Sequence, residues 1–154
     1  MSVFKGLSLA IELAHIQRDR AVAQWQAALR ALAHGQDQMT QLQQYASETE
    51  QRWALRAQQG TTPELLCHHR QFMARLHQAI QLQEDTLEAS DKKVASTRQV
   101  VLDAELRLSS FKKVLVSKEV AFNQQQQRQE QKYSDEFAAQ QMQRSLQQRT
   151  EETS

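Results

Sequence analysis

The stretch that decides the fold is residues 66–122, LCHHRQFMARLHQAIQLQEDTLEASDKKVASTRQVVLDAELRLSSFKKVLVSKEVAF. Every seventh residue of this stretch is apolar, whereas the positions three residues further on are mixed. The apolar heptad positions are Leu66, Met73, Ile80, Leu87, Val94, Val101, Leu108, Leu115 and Phe122. Such a repeat is typical of a helix whose seam always faces the same partner. No glycine or proline follows Pro63, so the repeat predicts one long coiled-coil helix.

The composition favours helices throughout. Three glycines and one proline in 154 residues leave few places to turn, which disfavours sheets and compact many-helix folds. Glutamine, a good helix former, occurs 27 times. We therefore expect an all-α protein with a single coiled-coil domain over residues 1–154.

A first helix is predicted over about residues 3–58. Apolar residues spaced by three and four from Val22 to Trp53 indicate one helical face. An earlier apolar stripe is out of phase with that face and consists of Leu9, Leu13 and Ile16. The change of phase predicts a drift or stutter of the seam between Ile16 and Val22. Gly35 lies inside this helix and should cost it about 1 kcal/mol relative to alanine.

The strongest turn signal in the chain lies at residues 59–63. Gly60 suits the left-handed position that closes a helix. Thr61 or Thr62 can cap the next helix, and Pro63 fits its first turn. A linker this short requires antiparallel neighbours. The expected fold is a long two-helix antiparallel coiled-coil hairpin.

The lengths of the two predicted helices agree with this hairpin. With the turn near residue 60, position i lies opposite roughly 120 minus i, so a first helix that starts near residue 3 ends opposite about residue 117. The apolar heptads end close by, at Phe122. Helix two is predicted over about residues 63–145. Residues 123–154 are then a Gln-rich, unpaired end that should fray alone and become ordered on a partner.

No residue pattern indicates catalysis, a metal site or a cofactor. Cys67, His68, His69 and His77 lack the i, i+4 pair of ligands that a helical metal site needs. The carboxylates between residues 84 and 91 precede lysines at helical spacing, which is typical of a solvated face. Neither a glycine-rich phosphate loop nor a nucleophile with a base occurs, so we expect a protein that is not an enzyme.

Charge and hydropathy exclude further classes. The formal net charge is +1 with both signs interspersed, which disfavours nucleic acid and anionic membranes as partners. The sequence has no apolar run long enough for a transmembrane helix and no signal-peptide pattern. Its lone cysteine fits a reducing compartment. A soluble cytoplasmic protein without a small-molecule substrate is the expectation.

Two matched faces near the predicted turn are candidates for a binding surface. Residues spaced by four, three and four recur at similar distances on either side of the turn: Gln38, Leu42, Tyr45 and Thr49 on helix one, and Phe72, Leu76, Ala79 and Gln83 on helix two. Plain coiled-coil packing explains part of this pattern. Phe72 and Ala79 flank the core heptad position, however, so part of the surface should be exposed and open to a partner.

The chain resembles the flagellar export protein FliJ family. The residues that carry the resemblance are Leu13-Ala14 with Arg18-Asp19, QLQQY at 41–45, FMARL at 72–76 with Gln78-Ala79-Ile80, and QKYSDE at 131–136. Thr49 occupies a position where the family often has an aromatic residue. Gln83 also differs from the family pattern.

This resemblance implies a cytoplasmic stalk, similar to the central stalk of rotary ATPases, in the bacterial flagellar type III export apparatus. Its partners would be the hexameric export ATPase FliI, the membrane export-gate protein FlhA and export chaperones. Membrane association would occur only through these partners, at the cytoplasmic face of the inner membrane at the flagellar base. By the resemblance, the gate-contact candidates are Gln38, Leu42, Tyr45, Phe72, Leu76 and Ala79. The N-terminal residues and the unpaired end after Phe122 would engage the ATPase.

Three alternatives stay open at the level of sequence. The chain could be an export escort chaperone that binds cargo through its amphipathic end, a stalk homologue from an injectisome, or a purely structural homodimeric coiled coil.

Overall fold

Two helices make up the part of the chain that the computed structural model describes, residues 2–154. Helix α1 is Ser2–Ala57 and helix α2 is Pro63–Glu152, with no strand among the described residues. The two helices pack against each other, which confirms the predicted all-α helical hairpin. Helix α2 continues past its expected end near residue 145.

The turn between the helices uses the residues that the sequence indicated. Gly60 adopts φ 107°, a left-handed conformation that glycine tolerates without a Cβ clash. The Gly60 amide donates to the carbonyl of Ala57 at 3.1 Å. Of the two candidate caps, Thr62 is the one used, since its Oγ1 accepts a hydrogen bond from the Leu65 amide at 3.2 Å. Pro63 follows as the first residue of α2, where its missing N–H costs nothing.

Internal contacts group the chain into two compact units. One unit joins the start of α1, up to Glu12, to residues 108–154 of α2. The other unit is Leu13–Arg107, which contains the turn. The sequence predicts a single domain over the whole chain, and that assignment stays a prediction.

The heptad seam of α2 is occupied as predicted. All nine apolar heptad positions from Leu66 to Phe122 are buried or half-buried. Met73, Val101 and Leu108 are the most enclosed of them. Beyond Phe122 every residue of α2 is exposed. The seven-residue period therefore located both the buried face of α2 and its end.

The seam of α1 differs from the predicted one, and the expected stutter between Ile16 and Val22 is wrong. Leu13 is 56% exposed and Ile16 is 49% exposed, so neither belongs to the seam. The buried positions here are the alanines Ala14, Ala21 and Ala28, one heptad apart. The phase is unbroken because small residues, rather than the larger neighbouring ones, face α2.

Gly35 continues the line of small residues on α1 and shows why they are there. A Cβ added at Gly35 would lie 2.9 Å from Cδ2 of Leu87 and 3.5 Å from Nε2 of Gln83. The first distance is shorter than van der Waals contact, so the absence of a side chain lets α2 approach α1 closely. The helix propensity lost at Gly35 is thus offset by packing across the seam.

The best-packed part of the Leu13–Arg107 unit lies near the turn. Ala46, Met73 and Leu76 form a buried cluster, and Leu42 and Ile80 pack against it. Burial of side chains of this size contributes about 1.5–3 kcal/mol each when it is complete. This cluster holds the two helices together beneath the surface that the sequence singled out.

In the unit that joins the start of α1 to residues 108–154, an aromatic pair connects the two helices. Phe4 of α1 meets Phe122 of α2 edge to face, with ring centroids 5.7 Å apart. Aromatic pairs in this geometry contribute about 0.5–1.5 kcal/mol beyond the area they bury. The pairing fits the predicted length match, in which the start of α1 lies opposite the last apolar heptad residue of α2.

Candidate functional site

Tyr45 and Phe72 form an exposed aromatic pair close to the turn. Their rings pack edge to face at a centroid distance of 6.1 Å and an angle of 79°, and they connect α1 to α2. Tyr45 is nevertheless 47% exposed and Phe72 is 40% exposed. The mutual contact fixes both rings while leaving large apolar area in water. Rigid, half-exposed aromatic residues are the side chains that most often anchor protein interfaces.

The six gate-contact candidates differ in how much surface they present. We call them the turn-proximal surface: Gln38, Leu42, Tyr45, Phe72, Leu76 and Ala79. Gln38 is exposed, whereas Leu42 and Ala79 are half-buried. Leu76 is only 8% exposed and belongs to the buried cluster. A partner could therefore touch the two rings and Gln38 directly, whereas Leu76 is enclosed in the buried cluster. Whether a partner binds here stays a prediction.

A shallow groove runs beside the aromatic pair. Gln38, Gln41, Leu42, Tyr45 and Gln83 line it. Gln83 extends from α2 towards α1, where its Nε2 donates to the carbonyl of Gly35 at 2.9 Å and to Oε1 of Gln38 at 3.4 Å. The groove thus has an apolar floor at Leu42 and walls of uncharged amides.

A second groove on the other side of Tyr45 contains a stacked ring pair. The rings of Trp53 and His69 lie parallel, 4.3 Å apart with an interplanar angle of 6°. They share the groove with Tyr45, Thr49, Arg52 and Arg56. Arg52 also contacts Glu48 at 3.7 Å, an exposed pair that contributes little to stability. The groove therefore combines aromatic faces with guanidinium groups.

Sequence reasoning placed Trp53 on the apolar face of helix one but did not pair it with His69. The two lie almost equally far from the turn, so the antiparallel rule alone would have brought them together. Gln41 and the cross-helix bonds of Gln83 were missed as well. No sequence signal indicates those bonds, because they depend on the close approach of α2 to Gly35.

Within residues 2–154, no group of three or more His, Cys, Asp or Glu side chains is placed to hold a metal ion. Cys67 is a free, exposed thiol. The two grooves beside Tyr45 are open and lined mainly by amide, aromatic and guanidinium side chains.

Exposed apolar side chains also occur in the unit that contains the chain termini. Val3 and Leu9 of α1 and Val116 and Val120 of α2 are all at least half exposed. The unpaired part of α2, residues 123–152, is hereafter the tail. It exposes four large apolar side chains: Tyr133, Phe137, Met142 and Leu146. Of the described residues, none belongs to a helix long and apolar enough to cross a membrane.

Comparison with known proteins gives one informative match. Neither the curated proteins nor the solved structures include a significant match to the chain. A protein-family model described as Flagellar FliJ protein matches residues 4–147. The match covers most of the 154 residues and both helices. The chain therefore belongs to the FliJ family of flagellar export-related proteins.

Proposed function

We propose that the chain is the stalk of the flagellar type III export apparatus, and that it binds and stimulates the hexameric export ATPase. FliJ family members are non-catalytic components of flagellar export, so the proposed role is to regulate another protein's hydrolysis. We further propose that the turn-proximal surface contacts the membrane export gate. The protein would then lie at the cytoplasmic face of the inner membrane, held there by its partners.

The observation that carries this proposal is the tail. It is helical, yet none of its residues is buried. Helices in proteins gain most of their stability from packing of an amphipathic face, and the tail has no such packing within the described chain. Tyr133 is 73% exposed and Phe137 is 63% exposed, one helical turn apart. Such side chains support the idea of a protein partner that covers the tail.

The paired residues beside the tail support the same assignment. Leu9, Val116 and Val120 point away from the seam and are exposed, so both helices of this unit carry apolar outer faces. A helix pair that is apolar on its outside is suited to a partner that surrounds it, as a hexameric ring would.

The experiment is a hydrolysis assay on the purified export ATPase with increasing amounts of the full chain. The full chain should form a complex and accelerate ATP hydrolysis. The double variant Tyr133→Ala/Phe137→Ala should need at least about 30-fold more protein for the same acceleration, because exposed aromatic anchors contribute about 1–2 kcal/mol each. The matched control Gln126→Ala/Gln140→Ala changes the same helix without removing apolar area and should behave like the wild type.

Three results would count against the proposal. Absence of both a complex and stimulation at micromolar concentrations would remove the ATPase as partner. Capture of export cargo or chaperones by the tail without any ATPase would favour the escort-chaperone alternative instead. An obligate dimer in light scattering would favour a purely structural coiled coil.

The gate contact needs its own assay, because it uses different residues. Binding of the purified cytoplasmic domain of the gate protein should weaken at least tenfold in Tyr45→Ala and in Phe72→Ala, since each removes one ring of the exposed pair. The control Gln51→Ala/Gln71→Ala alters exposed glutamines outside the turn-proximal surface and should leave the affinity unchanged. Equal affinities for all these variants would place the gate contact elsewhere.

A further inference from the structure

We propose that Gln83 is a positioning residue that holds the side-chain amide of Gln38 in one orientation on the turn-proximal surface. Gln83 belongs to the matched face of helix two that spacing predicts as a candidate binding surface, but it is not one of the six gate-contact candidates. The link between this orientation and gate binding rests on the proposed function. The orientation itself does not.

The hydrogen bonds of Gln83 define how it acts. A carbonyl oxygen only accepts, so the group 2.9 Å from the Gly35 oxygen must be the Nε2 of Gln83. The same nitrogen lies 3.4 Å from Oε1 of Gln38. One NH₂ group therefore donates both to the backbone carbonyl of Gly35 in the seam and to the side chain of Gln38 at the surface. Because the first bond is short, it fixes the direction in which the second N–H points.

The orientation of Gln38 follows from this geometry. With its Oε1 turned towards Gln83, Gln38 directs its own NH₂ away from α2. A partner that approaches the groove beside Leu42 and Tyr45 then meets a donor in a fixed place. Without Gln83, the exposed Gln38 side chain would sample several rotamers, and binding would have to restrict them.

The position of Gln83 in the heptads strengthens the inference. It falls three residues after Ile80 in the seam of α2 and is half-buried there. An apolar residue at such a position gives more packing energy, and polar residues at coiled-coil core positions trade stability for specificity. Gly35 lets Leu87 of α2 pack closely against α1, and the Gln83 amide lies beside it, 3.5 Å from where a Cβ of residue 35 would be. Gln83 therefore occupies a seam position with a polar side chain that orients the amide of Gln38 at the surface.

The variant that tests the proposal is Gln83→Met, which keeps the length of the side chain and removes its donors. Gln81→Met is the matched control, because Gln81 is exposed two residues away and lines neither groove. Side-chain amide signals of the ¹⁵N-labelled full chain report the orientation directly, and the Gln38 signals are assigned as those that disappear in Gln38→Ala. Thermal unfolding of each variant separates a positioning role from a purely structural one.

The proposal expects the Gln38 amide signals to shift and sharpen in Gln83→Met and to stay in place in Gln81→Met. Thermal stability should be equal or higher in Gln83→Met. If the Gln38 signals are the same in Gln83→Met as in the wild type, the proposal is overturned. Should Gln83→Met fail to fold, Gln83→Glu provides the same test, since a carboxylate of the same shape cannot donate to Gly35.

Binding to the gate domain tests the consequence. Gln83→Met should bind about two- to tenfold more weakly than the wild type, the range expected when a fixed side chain becomes mobile. The double variant Gln38→Ala/Gln83→Met should bind no more weakly than Gln38→Ala alone, because Gln83 acts through Gln38. Additive losses would instead make Gln83 a direct contact and refute the positioning role. If the wild type itself does not bind, the gate proposal fails while the amide signals still decide the role of Gln83.

Discussion

The close approach at Gly35 predicts an unusual response to substitution by alanine. In most exposed helix interiors, Gly→Ala stabilises by about 1 kcal/mol through helix propensity. At Gly35 the new methyl group would lie 2.9 Å from Cδ2 of Leu87. Shifting a packed side chain to relieve such a clash costs about 1–3 kcal/mol. We therefore expect Gly35→Ala to range from neutral to about 2 kcal/mol destabilising in the wild-type chain.

The same substitution should change sign when the obstacle is removed. In a Leu87→Ala background no Cδ2 atom is present, so Gly35→Ala should stabilise by nearly its full helix propensity of about 1 kcal/mol. The double-mutant cycle then gives a coupling of about 1–3 kcal/mol between positions 35 and 87. Gly6→Ala is the matched control, since a Cβ added at Gly6 meets nothing within 4 Å.

Urea and thermal denaturation followed by circular dichroism measure these differences, and each kcal/mol should move the melting temperature by about 2–4 °C in a chain of this size. Gly6→Ala should raise the melting temperature or leave it unchanged in both backgrounds. The reasoning is refuted if Gly35→Ala stabilises the wild-type chain as much as it stabilises Leu87→Ala. That result would mean that the two helices are further apart at Gly35 than the structure places them.

Three further tests examine other parts of the fold by the same denaturation assay. Leu76→Ala should lower the free energy of unfolding by about 2–5 kcal/mol because it leaves a cavity in the buried cluster. The control Leu82→Ala, at an exposed position, should change it by no more than about 0.5 kcal/mol. Similar losses for both variants would place Leu76 outside the core. Gly60→Ala should cost about 1–2 kcal/mol, since an alanine resists the positive φ of the turn, and no loss would indicate another turn conformation. A double-mutant cycle of Trp53→Ala and His69→Ala should give a coupling of about 0.5–1.5 kcal/mol from the stacked rings, and additivity would mean that they do not touch.

The apolar period of α2 was enough to predict its fold. Nine large apolar residues repeat every seven positions, and such a repeat has one structural solution, a helix with a continuous seam. The turn could be predicted equally well, because glycine favours the position just after a helix ends and proline favours the first turn of the next helix.

The seam of α1 was predicted less well for a physical reason. A pattern weighted by hydrophobicity follows Leu13 and Ile16, but closely approaching helices need small residues, and Ala14 and Ala21 fill that role. Which of two adjacent stripes faces the partner depends on the distance between the helices. That distance is set by both chains together, and neither segment reveals it alone.

The candidate site was predicted in outline and not in detail. Spacing placed Tyr45 and Phe72 on adjoining faces, and the structure brings their rings into contact. The stack of Trp53 on His69 and the bonds of Gln83 depend on axial register and rotamer. A difference of one or two residues in register would separate these groups, and sequence spacing does not resolve such a difference.

The central claim is that a single chain folds back on itself at Gly60–Pro63, and one distance tests it most directly. Spin labels at Gln41 and Gln78, two exposed positions in a Cys67→Ser background, should lie about 15–30 Å apart, because packed helix axes are about 8–10 Å apart. Dilution with unlabelled protein should leave that distance unchanged. A distance near 55 Å, the span of residues 41–78 in one continuous helix at about 1.5 Å per residue, would contradict the hairpin, as would a short distance that disappears on dilution.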